Sequence, residues 1–208
     1  PHQDMLTIYH SKSTRSLRVI WLCEELKLPY QVEIVPFTGE YRSTPEWRNM
    51  NPVGKVPVLA DDDFIMFESG AMVQYILDRY GNGQLQPEAG TQEHGLFLQW
   101  CWFAESTFAR PVGEIVNHRR VFEEHQQSET AIAEMKARAT LCVKALDEAL
   151  TDHEFLLGSS FSAADIMTGY SMFIFDKYAS STDHPHAYDY WNRLQKREAC
   201  QTAFGQYA

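Results

Sequence analysis

Hydrophobic positions in the first part of the chain recur with two periods, one of strands and one of helices. Met5 to Tyr9 reads as a first strand. Val19, Leu22, Cys23 and Leu26 then follow at the i, i+3, i+4, i+7 spacing of a helix with one buried stripe. Leu28-Pro29 breaks that helix, and Tyr30 to Val35 predicts a second strand. Val56 to Ala60 and Phe64 to Met66 flank Asp61-Asp62-Asp63, a polar turn suited to a hairpin. A helix is predicted over Ser69 to Tyr80, stopped by Gly81-Asn82-Gly83 and followed by Pro87 and Gly90. The order is β-α-β-α-β-β-α, an α/β domain over residues 1–82 with a linker over 83–90.

From residue 91 to residue 208 the texture changes to long helices without strand signals, which predicts an all-α domain. His94 to Val116 is rich in aromatics, and Pro111 predicts a kink within it. Leu96, Trp100, Phe103 and Thr107 form one stripe; Phe97, Cys101, Ala104 and Phe108 form another. The two cannot face one pocket, so part of this aromatic content belongs to a core or a subunit interface. Ile132, Met135, Ala139, Cys142, Leu146 and Leu150 keep helical spacing in the next long segment. Ser162 and Asp165 form a capping pair ahead of Ile166, Gly169, Tyr170 and Phe173, with Asp in place of the usual Glu or Gln.

A chain of 208 residues can bury a full core in one large domain or two modest ones. Its 44% hydrophobic and 22% charged residues are those of an ordinary soluble protein. No apolar run approaches the ~18–20 residues of a membrane span, and Pro1-His2-Gln3-Asp4 reads as a polar leader. A net charge of −10 argues against nucleic-acid and anionic-membrane partners. Cys23, Cys101, Cys142 and Cys200 are scattered through helical segments, as reduced thiols in a cytoplasmic protein would be. The eight histidines show no metal-ligand spacing, and His118, His184 and His186 read as surface residues.

The most informative stretch is Asn51-Pro52-Val53-Gly54-Lys55-Val56-Pro57-Val58-Leu59, followed by Glu68-Ser69. Pro57 cannot donate a ladder hydrogen bond, so it belongs at a strand start, an edge or a special turn. With a cis Val56–Pro57 bond, Val56 would present both its N–H and its C=O outward, as an extra strand edge for an extended, peptide-like ligand. Glu68-Ser69 opens a helix whose free amides favour a carboxylate at the ligand's far end. These are the requirements of a site that grips an extended tripeptide.

These motifs resemble those of the cytosolic glutathione transferases, of the serine/threonine type seen in bacterial-like members, over nearly the whole chain. Leu6-Thr7-Ile8-Tyr9-His10 is similar to the family's first strand, and Ser13 to Leu22 to the loop and first helix that carry its active hydroxyl. NPVGKVPVL and ESGAMVQYIL are similar to its two glutathione-contacting segments, and Gly158 to Ile166 to a helix-start signature in its second domain. The resemblance implies a thioredoxin-like N-terminal domain, an all-α C-terminal domain, a homodimer and a cytoplasmic location. It implies glutathione as co-substrate, no further cofactor and no metal, with the sulfur added to a small hydrophobic electrophile in detoxification. Reduction of organic peroxides, glutathione-dependent isomerisation and a non-catalytic glutathione-binding role stay open beside it.

A free thiol has a pKa near ~8.5, so a transferase of this kind must favour thiolate. One hydroxyl hydrogen bond to the sulfur contributes roughly 1.5–3 kcal/mol, or about one to two pKa units. Aligning on Arg18-Val19 points to Ser13; aligning on the family's Ser-Arg-Ser-x-Arg pattern points to Thr14. Ser11, Ser16 and Tyr9 are further candidates, and helix capping is a competing use for each hydroxyl. No cysteine lies in this loop, and Cys23 falls on the apolar stripe, which argues against thiol exchange by the protein itself. For glutathione the resemblance implies Lys55 at the glycyl carboxylate, Val56 as the main-chain pair, Pro57 as shape, and Glu68 and Ser69 at the γ-glutamyl group. Arg15 and Arg18 add local positive potential. For the electrophile it implies Trp100, Phe103, Phe108 and Arg110, with Glu105 as a further polar group.

Overall fold

The computed structural model describes residues 5–181 and 183–208, so the polar leader Pro1 to Asp4 lies outside the described residues. The chain divides into two compact units, Pro1–Gln84 with Lys196–Ala208, and Leu85–Gln195.

The first unit holds a four-stranded sheet of order β2-β1-β3-β4, from β1 (Leu6–His10), β2 (Tyr30–Ile34), β3 (Val58–Asp61) and β4 (Phe64–Phe67). β1 pairs in parallel with β2 and antiparallel with β3, which pairs antiparallel with β4. The alternation of β1 buries Leu6, Ile8 and His10 on one face, so an imidazole stands third in a row of aliphatic positions. Helix α1 (Ser16–Leu26) covers the sheet with Leu17, Val19, Ile20, Trp21, Leu22 and Cys23 buried. Two short helices, α2 (Gly39–Arg42) and α3 (Pro45–Met50), fill the connection to β3, each capped by a threonine side chain, Thr38 and Thr44. Helix α4 (Ser69–Tyr80) follows β4 with the bounds read from the sequence.

The hairpin is shifted from the sequence reading. Asp61 belongs to β3 and is buried, and only Asp62-Asp63 connect the strands, with Asp62 at φ 51. The Asp61 carboxylate accepts hydrogen bonds from the hydroxyls of Tyr75 and Tyr80, both at 2.6 Å. Arg79 stands 3.4 Å from the same carboxylate. Burial and this bond push the Tyr75 phenol up to about 12, so it stays a donor.

The last helix, α10 (Glu198–Tyr207), packs on α1 within this first unit, although the sequence reading joins it to the helical domain. Arg197 makes a bidentate pair with Glu25 at 2.7 and 3.0 Å, and Phe204 meets the Trp21 ring edge-on at 5.7 Å. Cys23 and Cys200 are buried in this unit, where loss of water raises each thiol to about 12. Both stay protonated and inert.

The second unit is helical: α5 (Gln92–Trp102), α6 (Ala109–Val116), α7 (Glu129–Ala149), α8 (Ala163–Ala179) and α9 (Pro185–Gln195). A π-helical stretch, Phe103–Phe108, joins α5 to α6. Pro111 falls in the first turn of α6, just after this stretch. Proline lacks the N–H that would reach back to the Thr107 carbonyl, and that carbonyl accepts from the Cys142 thiol at 3.7 Å instead. Of the two stripes, Phe97, Ala104 and Phe108 are fully buried, whereas Leu96 is 50% exposed. The second stripe is therefore the core stripe. At α8 the Ser162–Asp165 capping box is formed, and Asp165 also accepts from the Leu156 N–H at 3.1 Å and the Tyr190 hydroxyl at 2.6 Å. His118 is buried, not superficial: its Nδ1 accepts from the Ser128 N–H at 3.1 Å, which leaves the ring's own N–H on Nε2. Among the described residues no helix is long and apolar enough to cross a membrane.

Candidate active site

Strand register brings three of the sequence motifs to one end of the sheet. Tyr9, next to last in β1, pairs with Val58, the first residue of β3. Val58 pairs in turn with Phe67, the last residue of β4. The loop after β1, the Lys55-Val56-Pro57 segment before β3 and the Glu68-Ser69 start of α4 therefore all emerge at that end. Arg18 ties two of them together: its side chain is wholly buried, and Nη1 donates to Ser69 Oγ at 3.1 Å.

The loop after β1 and the first residue of α1 together carry four hydroxyls with different duties. Ser11 is buried, and its hydroxyl donates to the Val35 carbonyl at 2.6 Å. Ser13 sits at φ 63, and its buried N–H donates to the Tyr207 carbonyl. Thr14 alone of the four is only partly buried. Its Oγ1 lies 2.7 Å from the Ser11 carbonyl and 2.7 Å from Ser16 Oγ. Ser16 Oγ in turn lies 2.5 Å from His10 Nδ1, and His10 Nε2 lies 3.0 Å from the Tyr207 carbonyl. No side chain caps α1, so capping does not consume the Thr14 or Ser16 hydroxyl. Burial lowers the His10 pKa, partly offset by the Tyr207 carbonyl, so the ring is neutral near pH 7. Tyr9 packs on Trp47 at 5.9 Å within a cluster of Val35, Val58, Tyr41 and Met50, as a wall residue.

The segment before β3 is held from below. The Asn51 side chain donates to the Lys55 carbonyl at 2.9 Å and accepts from the Val53 N–H at 3.0 Å. Gly54 stands at φ 75, where an added Cβ would lie 2.6 Å from the Arg42 carbonyl. The Val56–Pro57 bond is cis. Among the described residues nothing hydrogen-bonds the main-chain N–H or C=O of Val56. Lys55 is exposed, Ser69 is buried, and Glu68 is exposed at φ 83, a conformation that bulky L-residues seldom adopt.

The family model of the glutathione S-transferase N-terminal domain matches residues 9–87, and that of the C-terminal domain matches residues 111–198. Glutathione S-transferase 3 of Schizosaccharomyces pombe is 26% identical over 210 residues, covering 96% of this chain and 86% of its own length. The chain belongs to the glutathione S-transferase family. Among solved structures, the theta class glutathione S-transferase of Xanthomonas axonopodis pv. citri with glutathione bound superposes with TM-score 0.83 at 28% identity, covering 97% of each chain. The glutathione transferase URE2P8 of Phanerochaete chrysosporium, with oxidized glutathione, has TM-score 0.90 at 24% identity, covering 99% of this chain and 96% of its own, a likeness of fold.

Within this transferase fold the four residues read as an electrophile wall separate. Trp100 and Phe103 are half-buried neighbours, edge-to-face at 5.2 Å. Phe108 is fully buried between Phe103 and Phe175 and presents no surface to a substrate. Arg110 is exposed and lines a shallow cavity of about 200 Å³ with Glu114, His118, Met135 and Arg138, to which neither Trp100 nor Phe103 contributes. The sequence reading passed over His10 and Tyr207. The signal for His10 was present: it occupies the third inward position of β1 after Leu6 and Ile8, where an imidazole needs two hydrogen-bond partners.

Proposed function

We propose that this chain is a glutathione transferase that uses the Thr14 hydroxyl to hold the glutathione sulfur as thiolate and adds it to a small hydrophobic electrophile. The observation that carries this reading is the half-open Thr14 hydroxyl at the sheet end where the unpaired Val56 main chain and the start of α4 also emerge. Val56 N–H and C=O pair with the cysteinyl residue of the tripeptide as an added strand edge. Ser69, Glu68 and the first amides of α4 take the γ-glutamyl end, and Lys55 takes the glycyl carboxylate. Thr14 has one proton and three claimants: the Ser11 carbonyl, Ser16 Oγ and the incoming sulfur. A thiolate attracts it most strongly, because charge-assisted hydrogen bonds are about twice as strong as neutral ones. The family's fold also leads us to propose a homodimer in the cytoplasm, with a role in detoxification.

The test is kinetic. Thr14→Val should lower kcat/KM toward a generic aryl halide by roughly 10- to 150-fold, the worth of one charge-assisted hydrogen bond, while glutathione still binds by calorimetry. Ser13→Gly removes the other hydroxyl and suits the positive φ at that position, so it should leave the rate within a few-fold. Full activity of Thr14→Val would overturn the assignment of the donor. Absence of binding heat at millimolar glutathione would overturn the function itself.

A further inference from the structure

We propose that Thr14, Ser16 and His10 form a proton relay that carries the proton of the bound thiol to His10 Nδ1. The proposal rests on the reading of Thr14 as the group that meets the glutathione sulfur.

The polarity of the chain follows from its fixed end. The Tyr207 carbonyl can only accept, so the His10 nitrogen facing it, Nε2, carries a proton. In the neutral ring Nδ1 is then an acceptor, and the Ser16 hydroxyl must donate to it. Ser16 Oγ, its proton committed, is left as an acceptor for Thr14, 2.7 Å away. Once Thr14 donates to Ser16, its own oxygen has lone pairs to receive the S–H of an incoming thiol. In the empty site Thr14 donates to the Ser11 carbonyl at 2.7 Å; an incoming thiol turns that hydroxyl toward Ser16, and every donor then points inward, from sulfur toward the imidazole.

Transfer reverses all of them. The S–H bond breaks as a new O–H forms on Thr14. The old Thr14 proton passes to Ser16, and the old Ser16 proton to His10 Nδ1. The products are a thiolate and an imidazolium, with no proton lost to solvent and no co-reactant consumed. His10 Nδ1–H now donates to Ser16, Ser16 to Thr14, and Thr14 to the thiolate. The charged state is thus the one in which every hydroxyl is oriented to favour it. The Ser11 carbonyl, 2.7 Å from Thr14 Oγ1, is the competing acceptor in the empty site.

The surroundings of His10 suit an acceptor that stays empty until a negative charge forms nearby. The ring is buried, which disfavours its charged form in the free protein. The titratable group facing it from α10 is Tyr207, whose ring lies edge-on at 5.2 Å; from α1 it meets Ser16. Among the described residues the polar partners of the ring are the Ser16 hydroxyl and the Tyr207 carbonyl, both uncharged. The thiolate of the bound ligand supplies the counter-charge for an imidazolium. The Tyr207 carbonyl, one of the last acceptors of α10, strengthens its bond to Nε2–H when the ring is charged.

The decisive measurement is ring-nitrogen NMR of the ¹⁵N-labelled protein, with and without saturating glutathione, alongside the ultraviolet absorbance of the bound thiolate as a function of pH. In the wild type, His10 should gain its second ring proton when the thiolate complex forms, at a pH where the free protein holds it neutral. Ser16→Ala should leave His10 neutral in the complex and raise the bound thiol's pKa by about one unit, roughly tenfold less thiolate at fixed pH. His10→Gln should raise the thiol pKa in the same way; where it fails to fold, the wild-type spectra decide alone. A neutral His10 in a complex that shows thiolate absorbance overturns the relay. If Thr14→Val raises the thiol pKa while Ser16→Ala does not, the relay falls and Thr14 keeps its role. If Thr14→Val changes nothing, both fall.

Discussion

Arg18 and Ser69 lie 51 positions apart in the chain and meet at 3.1 Å, guanidinium to hydroxyl, with both side chains buried. The bond joins the first turn of α1, just after the loop that holds Thr14, to the first residue of α4, just after Glu68. A buried guanidinium needs acceptors, and removing one leaves an N–H with its desolvation cost unrecovered. Ser69→Ala should therefore cost about 1–3 kcal/mol of stability, read as a lower urea midpoint with an unchanged slope. It should also weaken glutathione binding in calorimetric titration. Unchanged stability would mean that Arg18 re-pairs without loss.

Gly54 is the position where the site's backbone depends on a missing side chain. Its φ of 75 lies in the left-handed region, and a Cβ there would approach the Arg42 carbonyl to 2.6 Å and Arg48 Nε to 2.8 Å. The backbone penalty alone is roughly 1–2 kcal/mol for an L-residue, and the contact adds to it. Relieving the contact shifts the Lys55-Val56 segment, so Gly54→Ala should raise KM for glutathione more than it lowers kcat. A fall in kcat with KM unchanged would separate this loop from binding.

Features decided by near neighbours in the chain were legible in the sequence. The α4 bounds followed from Glu68-Ser69 at one end and Gly81 at the other, and the α8 start from its Ser162–Asp165 box. Features decided by distant partners were not. Asp61 looks like one of three turn acids, but tyrosines 14 and 19 positions on hold it in the sheet. The place of α10 depends on Arg197 meeting Glu25 across 172 positions. The same contact range hid the relay, because Tyr207 reaches His10 only after α10 has docked on α1. The π-helical stretch Phe103–Phe108 before Pro111 left no signal in the periodicity of the sequence.

Asp165 is a single buried carboxylate serving three donors: the N–H groups of Leu156 and Ser162, and the Tyr190 hydroxyl. It joins the segment before α8, the α8 start and α9 at one point. Asp165→Ala strands all three donors and should destabilise the protein by on the order of 3–5 kcal/mol. Asp165→Asn keeps one oxygen but turns an amide toward a donor, so it should fall between. A chemical-denaturation series of the two variants checks both the size and the order of the effects; a loss below ~1 kcal/mol for alanine would show that water takes over the carboxylate's contacts.

His10 sets a pH dependence of stability whose sign can be worked out. The ordinary value of the group is 6.5, and burial lowers it in the folded protein. Between the two values the unfolded chain binds a proton that the native protein refuses, so stability rises with pH in that interval. The contribution is complete above about pH 6.5 and is lost as pH falls through the depressed folded value. Urea midpoints of the ligand-free protein should therefore drop on acidification below neutrality. His10→Gln, which cannot take up that proton, should show a shallower drop over the same range. Parallel curves for the two proteins would mean that the imidazole is solvated enough to titrate as it does in the unfolded chain, and its poise as an acceptor for the thiol proton would go with it.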